Sequence, residues 1–305
     1  MDKQTLISEI QQLKQKRRAV ILAHNYEPGE IQEIADITGD SLGLSIQAAA
    51  TDAEVIVFCG VLFMAESAAI LSPEKKVLLP YRECGCGLAD MATAEQVIAA
   101  RRRHPGAAVV TYVNSSAAVK AESDICCTSG NAVNVVNSIP REQEIIFVPD
   151  QNLGSYVMAQ TKRSLILWPG YCPVHHTIRA TEILAAKKRH PQAIVIVHPE
   201  CRPEVTALAD VVCSTGGMFD AVAAADAREF IIGTEAGMLH PLQKAHPDRR
   251  FHPVTSTMIC HDMKKITLAH IHQSLTTMEP VITVDPAIGQ KARTALERML
   301  AVPRS

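Results

Sequence analysis

Aromatic residues make up only 4% of the 305 residues, with a single tryptophan, so the chain lacks the ring surfaces on which single-stranded nucleic acid stacks. Basic excess is missing too. Thirty lysines and arginines stand against 32 aspartates and glutamates, a formal charge of −2, so nucleic acid and anionic membranes are not expected as partners. No apolar run reaches the ~18 residues of a membrane span. The first residues, MDKQTLISEIQQLKQKRR, read as a polar amphipathic helix without the apolar core of a signal peptide; a cytoplasmic location is expected. Neither G-x-x-x-x-G-K-[ST] nor C-x3-C-x2-C occurs, which argues against P-loop phosphate binding and radical chemistry of that motif class. Gly216-Gly217 is no dinucleotide fingerprint, and no Pro/Gly/Ser-rich linker divides the chain.

What the chain does have is an odd number of cysteines, nine, in a chain long enough to bury a core without staples. That composition argues against a secreted disulfide scaffold and leaves thiols for metal or redox work.

It also has internal repetition. Cation-ended helical segments lead into β-branched strands three times: LISEIQQLKQKRR into AVILAHNY, AEQVIAARRRHPGA into AVVTYVNS, and ATEILAAKKRHPQA into IVIVHPEC. The cations at 101–104 and 187–190 read as solvated helix ends that suit the helix dipole. A second set follows each strand, EIADITGDSLG, AESDICCTSGN and ALADVVCSTGGM, with an acidic residue, a short apolar run and small hydroxyl or glycine residues opening a helix. A third set, EVIVFCG, EIIFVPD and EFIIGTE, reads as buried strands of a parallel sheet. The expected fold is α/β: three similar α/β/α domains with short parallel sheets around a pseudo-threefold axis and a central site. Expected boundaries are 1–87, 88–172 and 173–260, with 261–305 a tail and helix docking on the body.

Each unit closes with a cysteine in a loop after its last strand: KKVLLPYRECGCG, SLILWPGYC and RRFHPVTSTMIC. Cys86 to Cys172 is 86 residues and Cys172 to Cys260 is 88, but Cys84 to Cys172 is also 88, so spacing leaves Cys84 and Cys86 equivalent. Three thiolates on one axis can hold three irons of a 4Fe-4S cluster and leave the fourth open as a Lewis acid. A zinc site with an open position competes, since both metals accept thiolate. Asp40-Ser41, Thr128-Ser129 and Ser214-Thr215 each precede an apolar helical pattern and read as N-caps. Helix N-termini converging on one axis would also trap carboxylates or phosphate. A non-catalytic anion-binding repeat protein is a further alternative, but it leaves the loop-end cysteines unexplained.

The residues resemble the quinolinate synthase family over essentially the whole chain. The motifs are LAHNY at 22–26, TGDSL at 38–42, GCGLADM at 85–91, TYVNSSAAVKAESD at 111–124, CTSGNA at 127–132, WPGYCPVHH at 168–176, VHPEC at 197–201, STGGM at 214–218 and MICHDMKK at 258–265. The resemblance implies an enzyme of NAD biosynthesis, of transferase or lyase type. It would condense iminoaspartate, supplied by an L-aspartate oxidase or dehydrogenase, with dihydroxyacetone phosphate to give quinolinate. It also implies a 4Fe-4S cluster on Cys86, Cys172 and Cys260, with Cys86 selected over Cys84 by the GLADM that follows. His24, Tyr26, Tyr112, His198 and Glu200 carry over as catalytic residues, of which His24, Tyr112, His198 and Glu200 also bind substrate, with Asn114. Ser41, Ser129, Ser214 and Thr215 carry over as hydroxyls holding carboxylates and phosphate, and His175 as a neighbour of cluster and substrate. A C-x2-C-x2-C arrangement found in some relatives is replaced here by Cys260-His261-Asp262-Met263, so disulfide regulation is not expected. Cys59, Cys84, Cys126, Cys127, Cys201 and Cys213 are expected as small apolar residues.

Overall fold

The computed structural model describes residues 2–304. Among them run twelve strands in three four-stranded, all-parallel sheets. The first holds β1 (Ala19–His24), β2 (Ile37–Gly39), β3 (Val55–Cys59) and β4 (Lys76–Leu78). The second holds β5 (Ala108–Tyr112), β6 (Ile125–Cys127), β7 (Ile145–Val148) and β8 (Ile166–Leu167). The third holds β9 (Ile194–Val197), β10 (Val211–Val212), β11 (Glu229–Gly233) and β12 (Arg250–Pro253). Each has the spatial order second, first, third, fourth. The direction in which successive strands are laid down therefore reverses between the two central strands, all strands staying parallel. Loops leaving their carboxyl ends diverge and open a crevice, where open α/β sheets bind ligands. Central strands are apolar on both faces because helices cover both, as in Val55–Cys59 and Ala108–Tyr112, which are buried throughout.

The short apolar runs ITG, ICC and VV, expected only as lead-ins to helices, are the edge strands β2, β6 and β10. The acid before each has a structural task. Asp36, Asp124 and Asp210 accept the backbone N–H of Ile21, Val109 and Val195 at 2.8, 2.7 and 2.8 Å. In return each donates its own N–H to the same residue's carbonyl. The cation-ended helices supply partners: Lys14 lies 2.5 Å from Asp36, Arg101 2.7 Å from Asp124 and Lys187 3.8 Å from Asp210. These helix-end cations, expected to be solvated, also lock each edge strand. Asp36→Ala strands the N–H of the fully buried Ile21. It should lower stability by about 1–2 kcal/mol in urea unfolding, whereas Asp36→Asn, which keeps an acceptor, should lie near the parent.

The tail docks on the first two repeats. Helix Leu268–Thr277 packs against helix Lys3–Lys16, and Arg17 donates to the carbonyls of Leu275 and Thr276. Val281 forms an antiparallel bridge with Leu78 at the edge of β4. Helix Pro286–Leu300 buries Ala292, Ala295, Leu296 and Met299, a helical stripe, against helices Ala117–Ala121 and Leu62–Leu71 and strand β6.

Candidate active site

The three crevices open into one cavity of about 240 Å³ lined by residues of all three repeats. Strand register makes the contributions comparable. His24 and Tyr112 end β1 and β5, His198 follows β9 by one residue at the equivalent position, and two residues further on stand Tyr26, Asn114 and Glu200; all six line the cavity. Beyond the edge strands, Ser41, Ser129 and Thr215 occupy one equivalent position and line it as well. Beyond the fourth strands come Cys86, Cys172 and Cys260, again all on the wall, with His175. Ser214 is not on the wall: its hydroxyl accepts from Gly217 N–H at 3.2 Å and caps helix Thr215–Ala224.

Of the expected caps, Asp40 caps helix Ser41–Ala50 through Gly43 N–H at 2.8 Å, and Ser214 acts likewise. In the middle repeat neither Thr128 nor Ser129 caps a helix. Asn131 turns its Oδ1 back to Thr128 N–H at 2.8 Å and its Nδ2 to the carbonyls of Met299 and Val302, so the helix begins only at Ala132.

His24 and His198 are buried at 5% and 3% exposure. Burial drives their pKa values from 6.5 down to about 4 and about 3. Both use Nδ1 in the same way: it accepts the N–H of the residue two positions on, Tyr26 at 3.1 Å and Glu200 at 3.3 Å. The remaining proton therefore sits on Nε2, making each neutral imidazole an N–H donor rather than a base. His198 Nε2 lies 3.2 Å from Ser129 Oγ.

Glu200 is the ionised partner. Burial opposes its charge, but His175 Nδ1 at 2.6 Å from Oε2 overcomes this and holds the carboxyl down at about 2. The other ring nitrogen of His175 meets Thr234 Oγ1 at 2.8 Å, and Thr234 meets the Tyr26 hydroxyl at 2.5 Å. Glu200 Oε1 and Asn114 Oδ1 are buried and meet no group in good hydrogen-bond geometry, and the Tyr112 hydroxyl stands close enough to the Glu200 carboxylate to favour its charge. Burial, then the Glu200 charge, pushes the phenols of Tyr26 and Tyr112 well above 10, so both stay protonated.

All nine cysteines are free. Burial raises the Cys86 thiol to about 12 and those of Cys172 and Cys260 upward, while backbone N–H groups three residues on, at Ala89, His175 and Met263, favour the anion. Two buried acids at equivalent positions hold the loops: Asp150 accepts Cys172 N–H and Glu235 accepts Cys260 N–H, each at 3.1 Å. Neither acid nor Thr234 stands out in the repeat pattern, although EIIFVPD and EFIIGTE carry them just past the third strand.

Among the described residues two sets bring three possible ligand atoms within 4.8 Å of one another: Cys172–His175–Glu200 in the cavity, and His190–Glu229–His252 at the outer end of the third sheet. In the latter the imidazoles stack at 3.6 Å and Arg250 lies 3.3 Å from the carboxylate, a guanidinium that competes with any metal cation. No helix among the described residues is long and apolar enough to cross a membrane.

The unfolded state, with histidine pKa values near 6.5, binds more protons below that pH than a fold whose His24 and His198 stay neutral to about 4 and 3. Their contribution to stability is complete above pH 6.5 and is lost as acid is added, by up to about 1.4 kcal/mol per pH unit for each histidine. Urea midpoints at pH 7.5 and 5.0 should differ accordingly. His198→Gln, which keeps an N–H donor without a titrating base, should flatten part of that slope.

Fold and cavity together define an enzyme of α/β type whose single centre is assembled from three copies of one unit. Residues 8–301 match the family model described as NadA, quinolinate synthetase A protein. The chain is 55% identical to the quinolinate synthase of Geobacter metallireducens over 304 residues, covering 100% of both chains. It is 56% identical to that of Geotalea uraniireducens over 296 residues, 97% of each, and 53% identical to that of Methanoregula boonei over 301 residues, 99% of each. The chain belongs to the quinolinate synthase family.

Proposed function

We propose that this protein condenses iminoaspartate with dihydroxyacetone phosphate, giving quinolinate, one phosphate and two waters. The elements balance without an oxidant or reductant. The reading carries with it transferase- or lyase-type chemistry on the route to NAD, a cytoplasmic setting, and an L-aspartate oxidase or dehydrogenase as the source of iminoaspartate. The observation that supports it most is the meeting, in one cavity, of three free thiols from three repeats with an ionised, buried carboxylate held by His175.

The donor set fits a 4Fe-4S cluster. Cys86, Cys172 and Cys260 offer three soft sulfurs that do not all lie within 4.8 Å of one another, as ligands of one metal ion at about 2.3 Å would. When bound, such a cluster supplies an open Lewis-acidic position that eases loss of hydroxyl as water.

The chain's own residues do the rest. Ser41, Ser129 and Thr215, beside helix N-termini, hold carboxylate and phosphate oxygens. Neutral His24 and His198 donate Nε2–H to a carbonyl or carboxylate as negative charge develops there. Glu200 Oε1 removes the protons that condensation and aromatisation require, with His175 holding the carboxylate in place. Tyr112 and Tyr26, still protonated, donate phenolic hydrogens. Protein purified without oxygen should form quinolinate from dihydroxyacetone phosphate and iminoaspartate generated in situ; none formed by iron-loaded protein overturns the reading. A second reading, a mononuclear metal on Cys172, His175 and Glu200, is favoured by their mutual approach. It predicts zinc without sulfide.

A further inference from the structure

The cavity wall carries the Asp40 carboxylate but, among the described residues, no lysine or arginine. For the anionic substrates proposed above, on which this inference rests, an uncompensated buried carboxylate beside the hydroxyl ring would be repulsive. The compensation comes from the segment after helix Pro286–Leu300. Arg304 meets Asp40 with both guanidinium arms, Nη1 to Oδ2 at 2.6 Å and Nη2 to Oδ1 at 2.8 Å, the two-pronged geometry that only arginine offers a carboxylate.

Its position is held from the second repeat. Asn131 Nδ2 donates to the carbonyls of Met299 and Val302, both at 3.1 Å, and Asn134 Nδ2 to those of Pro303 at 3.3 Å and Arg304 at 2.9 Å. The guanidinium touches the second loops of all three repeats. A Cβ on Gly216 would lie 2.4 Å from Nη1, one on Gly130 3.3 Å from Nη1, and one on Gly43 3.6 Å from Nη2. Gly130 and Gly216 occupy the same place in their repeats, where the first repeat has Leu42. The shared glycines leave the room the guanidinium fills.

We infer that Arg304 is a positioning residue for anion binding: it neutralises Asp40 and ties the loops carrying Ser41, Ser129 and Thr215 into one carboxylate- or phosphate-binding end. It acts through Asp40, since it does not itself line the cavity.

The test compares cluster-loaded parent, Arg304→Gln, Arg304→Lys and Asp40→Asn/Arg304→Gln. Inorganic phosphate affinity is measured by calorimetry, and KM for dihydroxyacetone phosphate separately from kcat. Arg304→Gln should weaken phosphate binding and raise KM about five- to tenfold, with kcat within about twofold, the size expected of one unscreened charge near a partly buried site. Arg304→Lys should be intermediate. The double variant should recover most of the loss, because asparagine still caps the helix and no negative charge is left to neutralise. A merely structural pin would instead lower kcat and urea stability together without that recovery, and this result overturns the inference. Equal phosphate affinity in parent and Arg304→Gln overturns it as well, whether or not the parent forms quinolinate, so failure here is separable from failure of the proposed reaction.

Discussion

Glu200→Gln should lower quinolinate formation by about 10²- to 10⁴-fold, the usual contribution of a positioned general base, with fold and metal content unchanged. The amide matches the carboxylate in size and keeps an oxygen for His175, now 2.6 Å from Oε2. It removes a carboxylate that is ionised and buried at 2% exposure, with Oε1 facing no donor in good hydrogen-bond geometry. Without a proton acceptor, the late deprotonation that makes the ring aromatic is blocked, and the unaromatised condensation product should build up. Anaerobic single-turnover reactions followed by mass spectrometry would show it. His198→Gln should be far milder, since His198 acts as a neutral donor and the amide still donates. Normal quinolinate formation by Glu200→Gln would dismiss Glu200 as the required base, and a larger loss in His198→Gln would reassign the task.

Alanine at Cys86, Cys172 or Cys260 should remove the iron and sulfide, roughly four of each per chain, and with them the activity, whereas Cys84→Ala should retain both. The two members of C-x-C have different surroundings. Cys84 is fully buried, off the wall, with its thiol raised to about 12 chiefly by burial and then by Glu27. Cys86 is partly exposed and lines the cavity with its two counterparts. Metal and acid-labile sulfide analysis of protein purified without oxygen decides the matter. Stoichiometric zinc without sulfide in the parent, or a cluster surviving Cys172→Ala, would end the cluster reading.

The edge aspartates and buried strands depend on local pattern, so they were readable in order along the chain. Asp36, Asp124 and Asp210 each stand 15 residues beyond the strand residue they bind, and the repeat period exposes them. Edge strands of two or three residues were harder to see, because such runs make no sense as strands until a longer neighbour pairs with them. Asp150, Thr234 and Glu235 were passed over because a single acid or hydroxyl after a strand says nothing until the cysteine loop it meets is in place.

The sequence by itself determined the triplication, the α/β class, the presence of one loop-end cysteine per unit and the resemblance to a family, since periodicity and motif are properties of the chain. Only the tertiary structure decided which cysteine of C-x-C faces the cavity, that His24 and His198 are neutral donors, and that Arg304 reaches back 264 positions to Asp40. Burial, proton affinity and ion pairing depend on what stands beside a group in space, and those neighbours come from distant parts of the chain, the tail included.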